Sequence, residues 1–84
     1  MWQLVKDDKI QYCYIKDEPQ VDHRGVMVDS ARHFLSVDSL KRVIESLPLS
    51  KLNILHWHMV DDESFPIELN SHPELAQYGS YSSD

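Results

Sequence analysis

The sequence predicts an α/β fold in the form of a parallel strand–helix–strand unit, one piece of a larger sheet or barrel. Two apolar runs, Gly25 to Asp29 and Asn53 to Val60, read as strands and end in charged and imidazole groups. One amphipathic stretch with clear start and stop signals lies between them. Consecutive strands joined by a helix of this length pair in parallel through a right-handed crossover. Such a unit leaves both sheet edges open and its faces partly uncovered, so it is incomplete as a domain.

The first strand is expected at Gly25–Asp29, where Val26-Met27-Val28 is apolar on both parities. Strands buried on both faces read this way, and helix-covered parallel sheets supply most of them. The helix starts after Ser36, whose hydroxyl can satisfy an orphan N–H of the first turn, and Asp38 suits the positive end of the dipole. Val37, Leu40, Val43, Ile44 and Leu47 form one apolar stripe, which reads as core packing. Asp38/Arg42 and Lys41/Glu45 fall at i,i+4 on the wet face. Pro48 stops the helix because it lacks the donor that the next turn needs.

The second strand is expected over Asn53–Val60 with two distinct faces, Leu55, Trp57 and Met59 against Ile54, His56, His58 and Val60. Phe65 to Leu69 reads as a short extended piece, and His72 to Ala76 as one helical turn with proline near its start. The tail from Gly79 to Asp84 is Ser/Tyr-rich, with no cap or closing strand expected there. Ahead of the unit, residues 1–18 form a charged lead-in with a short strand over Gln11–Ile15. A turn at Asp17-Glu18-Pro19 separates it from residues 19–84.

Composition bounds the function. The chain has 84 residues, 42% of them hydrophobic, enough for one modest core. Eight basic against fourteen acidic residues give a net charge of −6 with no Lys/Arg cluster. Nucleic acid and anionic membrane surfaces are therefore poor partners. No apolar stretch approaches the ~20 residues that span a bilayer, and the opening residues are not expected to act as a signal peptide. Cys13 is the only cysteine; its neighbours Tyr12, Tyr14 and Ile15 suggest a thiol packed in a strand.

Ligands of α/β folds collect at the carboxyl ends of parallel strands, where the loops converge. That rule selects Asp29, Arg32 and His33 after the first strand, and His58, Asp61 and Asp62 after the second. Neighbouring strands lie ~4.8 Å apart, so Arg32 and Asp61 can approach one pocket from adjacent loops. The Arg32 fork suits a pair of sugar hydroxyls or a carboxylate; a salt bridge to Asp29 is the alternative. Of Asp61 and Asp62, one can orient a base or hold a hydroxyl while the other caps the following turn. A plain turn-forming pair is the competing reading.

His56-x-His58 has the spacing of metal ligands in some barrel hydrolases, although hydrogen-bonded interior histidines are the commoner outcome. His33 is a candidate cap at the end of the first strand, and His23 and His72 read as surface or turn residues. No Gly-rich phosphate loop, G-x-S-x-G elbow or Cys/His zinc spacing is present. Pattern alone leads to a sugar or small polar ligand on part of an α/β barrel.

At these residues the chain resembles the catalytic domain of the family 20 glycoside hydrolases, the β-N-acetylhexosaminidases. The resemblance rests on His23-Arg24-Gly25, Asp29-Ser30-Ala31-Arg32-His33-Phe34-Leu35, Lys51-Leu52-Asn53 and His56-Trp57-His58-Met59-Val60-Asp61-Asp62. Ser64-Phe65-Pro66, Pro73-Glu74-Leu75 and Gly79-Ser80-Tyr81 extend it, so that it runs over about residues 19–82. It is closer to the eukaryotic lysosomal and secreted branch than to the bacterial one, which tends to have Gly-Trp-Arg after the acidic pair.

The resemblance implies a (β/α)8 TIM barrel, with this chain as its first strand, first helix and second strand. It implies release of terminal β-linked N-acetylhexosamine from glycans or glycoconjugates by a substrate-assisted retaining route. It implies no cofactor and no metal, a lysosomal or secreted address, and a dimer for the full-length parent. By position, Arg32 matches the arginine that grips sugar hydroxyls in the −1 subsite. Asp61 matches the aspartate that supports the catalytic acid through a histidine from further along the family's chain. His56 and His58 would line the barrel interior.

The family's His-x-Gly-Gly-Asp-Glu motif, which carries the general acid, does not occur in these 84 residues. Nor do most of the aromatic residues that wall the sugar pocket, or the family's usual signal sequence and preceding α/β domain. Pro48 and Leu49 stand where family members more often have Met-Ala, a change at the helix exit. These absences lead to the expectation that the chain alone is inactive. They keep two other readings open, a non-catalytic sugar-binding remnant and a metal-dependent barrel hydrolase using His56 and His58.

Overall fold

A computed structural model describes residues 4–81. The ends of the lead-in (1–3) and of the Ser/Tyr-rich tail (82–84) lie outside the described residues. The elements run β1 (Val5–Lys6), β2 (Lys9–Ile10), β3 (Gly25–Asp29), α1 (Val37–Ser46), a 3₁₀ turn (Pro48–Ser50), β4 (Ile54–His58) and α2 (Pro73–Gly79).

The predicted parallel unit forms. β3 pairs with β4 in parallel, in the register Gly25↔Ile54 through Asp29↔His58, with α1 between them in the chain. Ser36 caps α1 as expected, its hydroxyl accepting from Ser39 N–H at 3.2 Å. Pro48 begins the 3₁₀ turn once the helix has ended. The second strand is shorter than expected: Asn53, Met59 and Val60 lie outside the ladder.

Two residues that sequence reading passed over as mere motif members fix the amino ends of the strands. Arg24 donates from Nε to the Lys51 carbonyl (2.7 Å) and from Nη1 to the Val21 carbonyl (2.6 Å). Its backbone N–H reaches Asn53 Oδ1 (3.0 Å), while Asn53 Nδ2 donates to the Asp22 carbonyl (2.8 Å). This reciprocal clamp sets the register that brings Asp29 opposite His58.

Gly25 is needed for close approach. A Cβ there would stand 2.7 Å from the Ile54 carbonyl oxygen and 3.0 Å from Ile54 Cβ. Gly25→Ala should lower stability by about 1–3 kcal/mol, the usual cost of forcing an extra group into packed structure. Urea unfolding of the protein checks this; an unchanged midpoint would count against the close approach. Gly79 plays a similar part at α2, its carbonyl accepting from Phe65 N–H (2.6 Å) where a Cβ would meet Phe65 Cβ at 2.9 Å.

The two faces of the β3–β4 ribbon differ. Val26, Val28, Leu55 and Trp57 share one face, and Leu40 of α1 lines an apolar groove with Trp57 on that side. Val28 and Ala31 are the only buried apolar residues among those described. On the other face Met27 is 59% exposed beside an exposed His56. The expectation of burial on both faces therefore fails for β3, because no element among the described residues covers the Met27 side. The apolar stripe of α1 is also only part-covered, Leu40, Val43 and Leu47 more so than Val37 and Ile44.

Other expectations are corrected locally. Residues 11–15 are not a strand; the lead-in instead makes a hairpin, Val5↔Ile10 and Lys6↔Lys9. Asp7 and Asp8 both take positive φ (52° and 57°), as a type I′ turn requires, and acidic residues tolerate that geometry. With no ladder or face over it, Cys13 is exposed rather than packed, as are Tyr12 and Tyr14.

The chain bends at Gln20 and Asp22, not at Asp17–Pro19. A Lys51–Asp17 ion pair ties this region to the end of the 3₁₀ turn and lowers the Asp17 pKa. Both partners are about half exposed, so its contribution to stability is small. The helix pairs Asp38/Arg42 and Lys41/Glu45 do not close to within 4 Å; solvated side chains gain too little from such contacts to hold them. Phe65–Leu69 joins no ladder, and α2 runs a turn further than expected, to Gly79.

Candidate functional site

The carboxyl ends of β3 and β4 carry the concentration of charge that the sequence places there. The ladder continues one step past the strands, with Ser30 N–H donating to the His58 carbonyl (3.1 Å). Trp57 Nε1 donates to Ser30 Oγ (2.8 Å), which holds the first loop against the second strand.

Asp29 then folds its own loop. Its Oδ1 accepts from the N–H groups of Ala31 (3.1 Å) and Arg32 (3.2 Å), an Asx-type turn that sends the Arg32 side chain back over the strand ends. The guanidinium meets two carboxylates. Nη1 donates to Asp29 Oδ2 at 3.4 Å, and Nε lies 3.8 Å from Asp61 Oδ2. The side chain of Arg32 nevertheless stays 67% exposed. The salt bridge to Asp29, the alternative reading of Arg32, is present, with an approach to Asp61 beside it.

Asp61 divides its work between its two oxygens. Oδ1 accepts from the N–H groups of Glu63 (3.0 Å) and Ser64 (2.8 Å), closing a turn in which Asp61 N–H returns to the Ser64 carbonyl (3.0 Å). Oδ2 faces His58 Nε2 (3.2 Å) and Arg32. The expected split of labour between Asp61 and Asp62 does not hold: one carboxylate caps the turn and meets the neighbouring side chains, while Asp62 is exposed. Physically, Oδ1 and Oδ2 diverge enough to serve a loop and a strand at once.

The surroundings stabilise the charged form of Asp61. Hydrogen bonding from His58 is the main cause that holds its carboxyl below the usual carboxylate range, with Glu63 N–H, Ser64 N–H and the Arg32 charge adding to it and partial burial opposing.

The other candidates are not drawn in. His33 and His56 are exposed, His23 is exposed, and His72 meets only the hydroxyl of Ser71 (3.0 Å). Among the described residues, no three of His, Cys, Asp and Glu converge as metal ligands. His56 and His58 share a strand face, but only His58 finds an acidic partner. Beside Arg32 a cavity of about 380 Å³ is lined by Ala31, His33, Phe34, Ser64 and Tyr81 among others. Sequence reading missed the His58–Asp61 contact because it depends on the second loop folding back. Their i,i+3 separation across a strand end was the available signal.

Comparison with known proteins decides the family. A family profile described as "Glycosyl hydrolase family 20, catalytic domain" matches residues 21–84. The chain belongs to glycosyl hydrolase family 20. Relatives support the assignment. "Beta-hexosaminidase subunit beta" of Mus musculus is 46% identical over 95% of this chain and 16% of that protein. "Beta-hexosaminidase A" of Caenorhabditis elegans is 50% identical over 88% of this chain and 13% of its own length. "Beta-hexosaminidase 1" of Arabidopsis thaliana is 48% identical over 82% of this chain and 13% of its own.

The chain therefore spans about a seventh of the length of these family 20 relatives. The resemblance read from the residue motifs is borne out at the level of the family. Within that family, the segment contributes a parallel strand–helix–strand with a charged cluster at its carboxyl edge. No helix among the described residues is long and apolar enough to cross a membrane.

Proposed function

We propose that this chain is the first strand–helix–strand of a (β/α)8 catalytic barrel in a β-N-acetylhexosaminidase, with residues 1–18 as a lead-in. Arg32 and Asp61 form part of the subsite that holds the terminal N-acetylhexosamine. The observation that carries this reading is the Arg32 guanidinium, anchored by Asp29 and Asp61 yet 67% exposed at the carboxyl edge of the strands. A pre-oriented fork of that kind donates to two adjacent sugar hydroxyls with little further ordering. The open Met27–His56 face supports the barrel, whose interior that face would line.

In this mechanism the acetamido oxygen of the substrate attacks its own anomeric carbon as the glycosidic bond breaks. The leaving oxygen takes a proton from a glutamic acid outside these residues. No residue of this chain forms a bond to the sugar. Arg32 binds and orients it; Asp61, held as the carboxylate, supports the acid through a histidine elsewhere in the enzyme. Several relatives are named as subunits, which supports assembly of the full-length protein from more than one chain. A lysosomal or secreted address follows from the same family branch.

The 84-residue polypeptide by itself, lacking the His-x-Gly-Gly-Asp-Glu acid, should release no nitrophenol from an aryl N-acetyl-β-glucosaminide. Turnover by this polypeptide that disappears in Arg32→Ala would overturn the assignment of the acid to other residues. The full-length protein should cleave the same compound.

A further inference from the structure

We propose that His58 is a positioning residue, its Nε2 fixing Oδ2 of Asp61 so that this oxygen faces Arg32 and one further donor. The inference rests on the sugar-subsite reading of Arg32 and Asp61 given above.

A carboxylate offers about four acceptor directions, two on each oxygen. Both directions of Asp61 Oδ1 are taken by the Glu63 and Ser64 N–H groups. On Oδ2 His58 takes one, while Arg32 Nε, at 3.8 Å, contributes charge rather than a hydrogen bond. One direction on Oδ2 is left. Any donor that reaches Asp61 from elsewhere in the enzyme must use it, and His58 decides where it points.

His58 is suited to that task by its own anchoring. It is the last residue of β4, in register with Asp29, and its carbonyl is held by Ser30 N–H at 3.1 Å. The imidazole thus hangs from the end of a paired strand and spans to a carboxylate carried on a loop. With Asp61 ionised, Nε2 must carry the hydrogen. Asp61 is only 11% exposed, so without this donor its Oδ2 would turn toward whichever cation remains, which is Arg32. The expected consequence is a misaligned acid, not lost sugar binding.

The test uses the full-length enzyme with an aryl N-acetyl-β-glucosaminide. His58→Leu, which keeps bulk and removes the donor, should lower kcat by roughly 10-fold or more and move KM by less than about 3-fold. His58→Gln, which returns an N–H near the Nε2 position, should recover most of that loss. In an Asp61→Asn background, His58→Leu should cost less than about 2-fold further, since coupled residues are not additive. If the leucine variant does not fold, His58→Asn, whose shorter head withdraws the donor, replaces it in both measurements.

Unchanged kcat in His58→Leu, losses that multiply with Asp61→Asn, or a glutamine variant as poor as leucine at equal melting temperature would each overturn the proposal. Failure of the underlying reading looks different. Arg32→Ala and Asp61→Asn would then leave turnover intact.

Discussion

Replacing Arg32 by alanine should lower kcat/KM of the full-length enzyme for an N-acetylhexosaminide by about 2–4 kcal/mol of transition-state binding, roughly 30- to 1000-fold. Two losses combine. In the proposed subsite the sugar loses charge-assisted donors, and Asp29 and Asp61 lose the cation that both meet. Arg32→Lys should recover little, because one ammonium cannot reproduce a fork that meets two carboxylates on separate edges. The melting temperature should scarcely move: Arg32 is two-thirds exposed, and exposed ion pairs contribute ~0–1 kcal/mol. Steady-state kinetics and a thermal melt on the same preparation separate the two effects. An unchanged kcat/KM removes Arg32 from the site.

What could be read from the sequence follows from how local each signal is. The Ser36 cap, the Pro48 stop and the apolar run at Gly25–Asp29 are decided within a few residues, and these features match. The parallel pairing of β3 and β4 follows from chain connectivity alone. Burial was not legible: Met27 is apolar, but its exposure depends on whether another strand stands over it. Nor was the fate of Gln11–Ile15, where strand propensity without a pairing partner yields an open segment and an exposed Cys13.

At the site, strand ends pointed to Asp29, Arg32, His33, His58, Asp61 and Asp62; Asp29, Arg32, His58 and Asp61 come together, while His33 and Asp62 stay exposed. Which oxygen of Asp61 meets which donor is a property of the Asp61–Ser64 turn. The side chain and backbone of that turn bond reciprocally across three residues, a detail that residue type alone does not encode. The clamp of Arg24 and Asn53 was hidden for a related reason: its partners are backbone carbonyls, which every residue possesses.

Asp61→Asn should have the largest effect on turnover, on the order of 10²- to 10⁴-fold in kcat, the range in which general acid assistance contributes. The amide keeps an acceptor for the Glu63 and Ser64 N–H groups, so the turn survives. Its NH₂, however, takes the place of Oδ2 and confronts Arg32 Nε, donor against donor, while His58 can meet it only by turning Nε2 into an acceptor. The same carboxylate gives the protein a pH signature. Its pKa is lowered in the folded state, chiefly by His58, so the stabilisation it brings is present above the ordinary carboxylate range. That stabilisation is lost as pH falls through the lowered folded value. His58→Leu removes the main cause of that lowering, leaving the Glu63 and Ser64 N–H groups and Arg32 as the remaining groups around Asp61. The acid limb of both kcat and stability should therefore move to higher pH in His58→Leu and lose the Asp61 contribution in Asp61→Asn. Melting temperatures across the acid range check the sign: an acid limb that shifts downward in His58→Leu would mean that the imidazole destabilises the carboxylate instead of holding it charged.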